Sequence, residues 1–78
     1  MPEVFRAEGY VFWFFSNEGN EPIHIHVRRA GGYAKFWIDP LLLDSSRGLK
    51  VPELSRAEEL IGERLEEIRR KWHDYFGT

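Results

Sequence analysis

Two histidines separated by a single residue give this sequence its clearest candidate for chemistry. Across residues 23–28, apolar and polar side chains alternate, and that period is typical of a β-strand. The alternation places His24 and His26 side by side on one face, opposite the apolar face. We therefore expect both imidazoles on a solvent-exposed sheet face, where they can bind a metal or transfer protons near neutral pH.

A divalent metal site is one interpretation of His24 and His26. Neutral imidazoles at positions i and i+2 of a strand present two nitrogen ligands on the same side. Metal sites in proteins usually have three or four protein ligands. A third would come from Asp39, from Glu21 or from a partner chain. The sequence indicates no other cofactor.

Metal-free acid–base catalysis is a second interpretation, with His24, His26 and Asp39 as the catalytic set. One histidine would activate the 2′-hydroxyl of RNA, and the other would protonate the leaving oxygen. An acidic partner such as Asp39 would fix the tautomer of a histidine. This chemistry predicts cleavage of an RNA phosphodiester.

Cationic and aromatic side chains are predicted to share the histidine face. Arg28 and Lys35 would lie opposite each other and repel unless an anion such as phosphate binds between them. Trp37 and Tyr33 would offer rings on which bases stack. These four residues are the predicted nucleic-acid or anion contacts.

A non-enzymatic interaction module is the alternative from another functional class. In that interpretation the histidines hydrogen-bond their neighbours, and the outer face binds a protein or a second copy of the chain. The run 10–15 (YVFWFF) is apolar on both faces. We expect a central strand that is partly covered by a partner. The sequence leaves open whether the protein is an enzyme.

The histidine strand is predicted to form a hairpin with residues 33–39. A two-residue loop at Gly31-Gly32 would pair His24 with Asp39 and His26 with Trp37. Shorter strands are expected at residues 4–7 and 41–43 beside the run 10–15.

The C-terminal third predicts a helix over residues 52–76, with apolar side chains recurring every three or four positions. Pro52 suits its first turn, and Gly77 follows as a stop signal. The fold class is therefore α+β. We expect a small antiparallel sheet of three to five strands (residues 3–46), with one long C-terminal helix packed on one face, in a single domain spanning residues 1–78.

Length and composition exclude several classes of protein. Seventy-eight residues suit one small domain, and the net charge of −2 excludes a strongly basic nucleic-acid-binding protein. The sequence contains no cysteine, so disulfides and cysteine-ligated zinc are excluded. No apolar run approaches the roughly 20 residues needed to cross a bilayer, and no signal peptide is evident. We expect a cytoplasmic protein that does not associate with membranes.

Several motifs together resemble a bacterial family called domain of unknown function 4160. They span nearly the whole chain: residues 2–5, 10–18, 21–27 (EPIHIHV), 34–37 (AKFW) and 72–76. The resemblance implies no established reaction and assigns no catalytic residue. Its members tend to lie in operons beside small partner proteins, an arrangement like that of toxin–antitoxin modules. It therefore implies a toxin-like protein with a small cognate partner, and it favours RNA as a target. A homodimer is a further expectation.

Overall fold

The fold is an antiparallel five-stranded sheet with two helices. It is taken from a computed structural model, which describes residues 3–77. The elements in chain order are β1 (Glu3–Ala7), β2 (Tyr10–Trp13), β3 (His24–Arg29), β4 (Gly32–Ile38), β5 (Leu41–Arg47), α1 (Val51–Gly62) and α2 (Leu65–Phe76). Each strand pairs with its neighbours in sequence, in the order β1-β2-β3-β4-β5. The predicted α+β class is confirmed. Within residues 3–77, neither helix has the length and apolar character needed to cross a membrane.

The hydrophobic core lies between the helices and one face of the sheet. Strand β4 shows the alternation clearly, since Ala34, Phe36 and Ile38 are buried and the residues between them are half-buried. These side chains cluster with apolar residues of both helices, including Ile61 and Ile68. Full burial of one large apolar side chain contributes about 1.5–3 kcal/mol, so this face holds the fold together. We call the opposite face of β3 and β4 the outer face.

The helical region contains a break that the predicted single helix did not include. Helix α1 ends at Gly62, and α2 begins at Leu65. The backbone N–H of Arg64 bonds to the carbonyl of Ile61 at 2.9 Å, which closes a tight turn between the helices. Glycine disfavours helix by about 1 kcal/mol relative to alanine. Gly62 is therefore the sequence signal for this break.

The β3–β4 hairpin is shifted by two residues from the predicted register. His24 pairs with Trp37, His26 with Lys35 and Arg28 with Tyr33. The loop is Ala30-Gly31, and Gly32 belongs to the strand, where it pairs with Arg29. A Cβ at Gly32 would lie 2.7 Å from the Gly48 carbonyl oxygen, so the position favours glycine.

The predicted pairs Arg28–Lys35, His26–Trp37 and His24–Asp39 are therefore wrong. A shift of two residues preserves the faces of a strand, since side chains alternate with period two. The assignment of each residue to a face consequently survives the error in register.

Strand β5 is longer than predicted and forms one edge of the sheet. It contains a bulge, because Lys35 pairs with Ser45 whereas the next residue, Phe36, pairs with Leu43. The extra residue is Asp44, which accepts a hydrogen bond from the Trp37 indole at 3.1 Å. Ser45 and Arg47 follow the bulge and pair with Lys35 and Tyr33.

Candidate metal centre

His24 and His26 lie beneath the protein surface, so the prediction of a solvent-exposed histidine face is wrong. Their exposed fractions are 0% and 3%. Period two assigned them correctly to the outer face but gave no information about what covers it. Strand β2 ends at Trp13, two residues earlier than the apolar run suggested. The following segment, residues 14–23, then contributes Phe15 and Glu18 to the histidine surroundings.

Aromatic rings form the walls around the two imidazoles. Centroid distances to His26 are 5.5 Å from Trp13 and 4.6 Å from Phe15. On the other side, the His24 ring lies 5.2 Å from Trp72 of α2 and 5.5 Å from Trp37. Such walls exclude water, and they strengthen every electrostatic interaction between the polar groups inside.

Glu18 joins the two histidines through a single oxygen atom. Its Oε1 lies 2.8 Å from His24 Nε2 and 2.7 Å from His26 Nε2. The Glu18 side chain is only 16% exposed. The sequence predicted Glu21 of this segment as a possible third ligand but did not single out Glu18. The signal that could have identified it is its position in the short polar segment that leads into the histidine strand.

A glycine next to Glu18 lets this segment approach helix α2. A Cβ at Gly19 would lie 2.5 Å from Cδ1 and 2.9 Å from Cγ of Phe76. Real Cβ atoms essentially never come that close to another heavy atom, so this position demands a residue without a side chain. The glycine therefore helps to set where the Glu18 carboxylate lies.

Each histidine also has a partner at its second ring nitrogen. Nδ1 of His24 lies 2.9 Å from the Pro22 carbonyl oxygen, and Nδ1 of His26 lies 2.9 Å from the Tyr33 hydroxyl. Contacts of this kind orient a ring and select its tautomer, and they are typical of histidines that bind metals through the other nitrogen. Both Nε2 atoms are thus directed at the same point beside Glu18.

The hydrogen-bond partners of His24 create an imbalance of protons. The Pro22 carbonyl and the Glu18 carboxylate both accept hydrogen bonds and donate none. A neutral imidazole carries one N–H, which the carbonyl takes at Nδ1. The Nε2 lone pair would then face a carboxylate oxygen at 2.8 Å. Either a second proton or a cation between the two atoms removes this repulsion.

His26 and Glu18 have pKa values consistent with a neutral imidazole beside a carboxylate. The pKa of His26 is lowered, chiefly by burial, although the hydrogen bond and negative charge of Glu18 oppose that change. Burial by itself would raise the pKa of Glu18, but its close contacts with the two imidazole rings hold it below its ordinary value. A neutral imidazole and an ionised carboxylate are the forms that bind metal ions.

The cluster fits a divalent metal ion by donor type, and small shifts of its donor atoms would admit the ion. The two Nε2 atoms and one Glu18 oxygen all lie within 4.8 Å of one another. Ligands at about 2.1 Å from zinc in tetrahedral or octahedral geometry lie roughly 3.0–3.4 Å apart. The Glu18 oxygen would retreat by roughly half an ångström to admit the ion. Two histidines and one carboxylate suit zinc and ferrous iron among other divalent metals.

Residues 9–73 match the family model described as Domain of unknown function (DUF4160), which covers most of the chain. The chain belongs to this family. No curated protein matches the chain, and no solved structure matches it. The matched residues include Glu18, His24 and His26, so the whole cluster of this DUF4160 protein lies inside the matched region.

Asp39 does not hold the position in this DUF4160 chain that the predicted hairpin gave it. Trp37, not Asp39, pairs with His24. The Asp39 carboxylate binds the Arg69 guanidinium, with Oδ1 at 2.7 Å from Nη2, and this ion pair lowers the pKa of Asp39. Glu21, the other proposed third ligand, pairs with Lys35 at 3.4 Å. Glu18 occupies the position next to the histidines that was predicted for Asp39 or Glu21.

The predicted anion contacts of this DUF4160 chain lie on the outer face, but they do not form one cluster, and each contacts different neighbours. Arg28 is exposed, and its guanidinium lies 5.8 Å from the Trp13 ring. Lys35 lies 4.5 Å over the Trp37 ring, so these two predicted contacts pack on each other. Tyr33 contacts His26, as described above. Arg28 and Lys35 are diagonal neighbours and not the opposed pair that was predicted.

Proposed function

We propose that this protein binds a divalent transition-metal ion through Glu18, His24 and His26. The observation that carries the proposal is the convergence of both Nε2 atoms on one carboxylate oxygen. A cation there resolves the unfavourable contact between the His24 lone pair and Glu18. The Pro22 carbonyl at Nδ1 of His24 supports the tautomer that a metal requires, and the Tyr33 hydroxyl is able to accept from Nδ1 of His26 in the same way.

Three protein ligands are typical of metal centres that leave a coordination position open. In catalytic zinc sites that position holds water or substrate, and the metal makes the water more acidic. Glu18 is the most exposed of the three ligands, so the solvent side of the cluster lies at its carboxylate. Reactions that suit such a centre are hydrolytic or otherwise Lewis-acid assisted.

A metal titration tests the proposal directly. The protein is first stripped of metal with a chelator and is then titrated with Zn(II) and with Co(II). Binding is followed by calorimetry and by the absorption of the Co(II) complex. We expect one ion per chain, and a loss of affinity of at least tenfold in Glu18→Gln and His26→Gln. His73→Gln, which changes a histidine on α2 outside the cluster, serves as the matched control. Folded wild-type protein that binds no ion at this site would contradict the proposal.

Action on RNA as a toxin-like protein is a second candidate, derived from the family resemblance. The observation that favours it is a row of side chains across the outer face, in which Arg28 pairs with Tyr33 and Tyr33 pairs with Arg47. Two guanidinium groups flanking a phenol suit phosphate groups and bases. Both histidine Nε2 atoms already contact Glu18. In this candidate, therefore, the row of Arg28, Tyr33 and Arg47 recognises RNA, and the histidines do not.

Induced expression tests the RNA candidate. Growth and cellular RNA integrity are compared for wild type, for Arg28→Gln/Arg47→Gln and for His24→Ala/His26→Ala, with folding checked by thermal melting. We expect wild type to arrest growth with loss of RNA, and the arginine variant to relieve both. Harmless expression of folded wild type with intact RNA would overturn the candidate.

Self-association is supported by the exposed edge of the sheet. Strand β5 pairs only with β4 among the described residues, and Leu42 on it is 58% exposed. An unpaired edge strand is a template for another strand. If a second copy binds here, light scattering will give a dimer mass that Leu42→Lys reduces to a monomer. A monomeric wild type at high concentration would leave a different partner, such as a small cognate protein, as the occupant to test.

A further inference from the structure

A groove on the outer face has the composition of a site for a small oxyanion. It is lined by Tyr33, Ser45, Ser46 and Arg47 and encloses about 280 Å³. On the outer face, the lining residues carry the hydroxyls of Tyr33 and Ser45 and the guanidinium of Arg47, and they include no carboxylate. Within residues 3–77, Arg47 forms no ion pair, whereas most other arginines do. A free guanidinium beside hydroxyl donors suits the oxygens of a phosphate group.

The Tyr33 hydroxyl links this groove to the metal ligands. It lies 2.9 Å from Nδ1 of His26, while Nε2 on the other side of the same ring lies 2.7 Å from Glu18. The imidazole therefore separates the groove from the candidate metal position. An anion in the groove would contact Tyr33 and Arg47 without binding the metal itself.

Hydrogen-bond counting fixes the direction of the Tyr33 hydroxyl when no metal is bound. The Glu18 carboxylate only accepts, so Nε2 of His26 must carry the proton. The neutral ring then has a lone pair at Nδ1, and the Tyr33 hydroxyl donates to it. Only oxygen lone pairs of Tyr33 remain for the groove, and these repel an anion.

Metal binding at Nε2 reverses this arrangement. With a metal ion held at Nε2, the neutral ring would carry its proton at Nδ1 instead of Nε2, with no net change in the charge of the ring. Nδ1 now donates to the Tyr33 oxygen, whose own hydrogen is released to point into the groove. Tyr33 keeps its proton throughout and changes only from acceptor to donor towards the groove.

We propose that Tyr33, Ser45 and Arg47 bind a phosphate group, and that a metal ion at Glu18, His24 and His26 strengthens this binding by turning the Tyr33 hydroxyl into a donor. The inference rests on the proposed metal site and adds a ligand class and a coupling to it. Coupling of two ligands is reciprocal, so phosphate tightens metal binding by the same factor.

The test measures phenyl phosphate binding to metal-free and to Zn(II)-loaded protein by calorimetry. A hydrogen bond to a charged group supports a gain of about tenfold in affinity upon metal loading. In Tyr33→Phe the metal still binds, and the tenfold difference disappears. In Arg47→Gln, phosphate binding is lost whether or not the metal is bound. A short single-stranded RNA in place of phenyl phosphate distinguishes a phosphodiester ligand from a phosphomonoester.

Each result separates this inference from the proposed metal site. If Zn(II) binds and phosphate affinity is unchanged by it, the coupling is wrong while the metal proposal stands. If Zn(II) raises phosphate affinity equally in Tyr33→Phe, the phosphate contacts the metal directly and the inference is overturned. If no metal binds, both fail. Should Tyr33→Phe prove unfolded, Zn(II) titration of the wild type with and without phenyl phosphate still decides, because reciprocity demands the same tenfold factor.

Discussion

Glu18 Oε1 lies 2.8 Å from His24 Nε2, although His24 already has an obligate acceptor, the Pro22 carbonyl, at its other nitrogen. The two atoms belong to segments that differ in structure, an irregular loop and the first residue of β3. A contact between an acceptor and a nitrogen without a spare proton requires a further positive charge. A second proton on His24 or a bound cation supplies that charge, and the second possibility makes the cluster a candidate cation site.

Glu18→Gln tests the charge of the cluster with little change of shape. The amide keeps an oxygen near the histidines but removes the negative charge, so we expect metal affinity to fall at least tenfold. Glu21→Gln is the matched control, since Glu21 lies in the same segment and pairs with Lys35 instead. Calorimetric titration of both variants provides the measurement. Equal affinities in the two variants would exclude Glu18 as a ligand.

Gly19→Ala tests the positioning of Glu18 without altering any ligand. The added methyl would lie 2.5 Å from the Phe76 ring, so the segment or the helix end must shift. We expect a loss of stability of about 1–3 kcal/mol, typical of overpacking, together with weaker metal binding.

Gly31→Ala is the control for the Gly19 variant, because no atom lies within 4 Å of a Cβ at Gly31. Urea unfolding and metal titration of the two variants give the comparison. The positioning role would be wrong if Gly19→Ala bound metal as tightly as Gly31→Ala does.

Acidification should destabilise the metal-free protein from about pH 6.5 downwards. The pKa of His26 is lowered in the folded state by burial, so the unfolded chain binds its proton more readily. Stability is therefore full above the unfolded value near 6.5 and falls as the pH drops towards the folded value. Glu18, whose pKa is also lowered, adds a further loss below about 4.5.

Urea unfolding between pH 8 and pH 5 measures this effect. His26→Gln removes the titrating ring and should flatten the dependence in the upper part of that range. A wild type that gained stability on acidification would contradict this prediction.

Asp39→Asn tests whether Asp39 only forms a surface ion pair with Arg69 or has the catalytic role that the sequence predicted. The carboxylate binds Arg69 at the protein surface, where ion pairs contribute up to about 1 kcal/mol. We therefore expect a small loss of stability and unchanged metal and phosphate binding. Thermal melting and the two titrations check this. A large loss of binding would restore Asp39 to the functional site.

The sequence by itself determined the fold class, the alternating faces of β3 and β4, and the placement of His24 and His26 on the same face. Those features depend on local periodicity, which is written in neighbouring residues. The break at Gly62 was not among them, since a single helix was predicted over residues 52–76. The family resemblance, confirmed over residues 9–73, was also readable from the motifs.

Only the tertiary structure decided the third member of the cluster and the burial of the histidines. The path of residues 14–23 over the outer face depends on contacts between distant segments, such as Gly19 against Phe76. The register of the β3–β4 hairpin was likewise seen only in the structure, where Gly32 lies in the strand and against the Gly48 backbone. Period two specifies a face but neither what covers it nor where a strand begins. For that reason the histidines were predictable, whereas Glu18 was not.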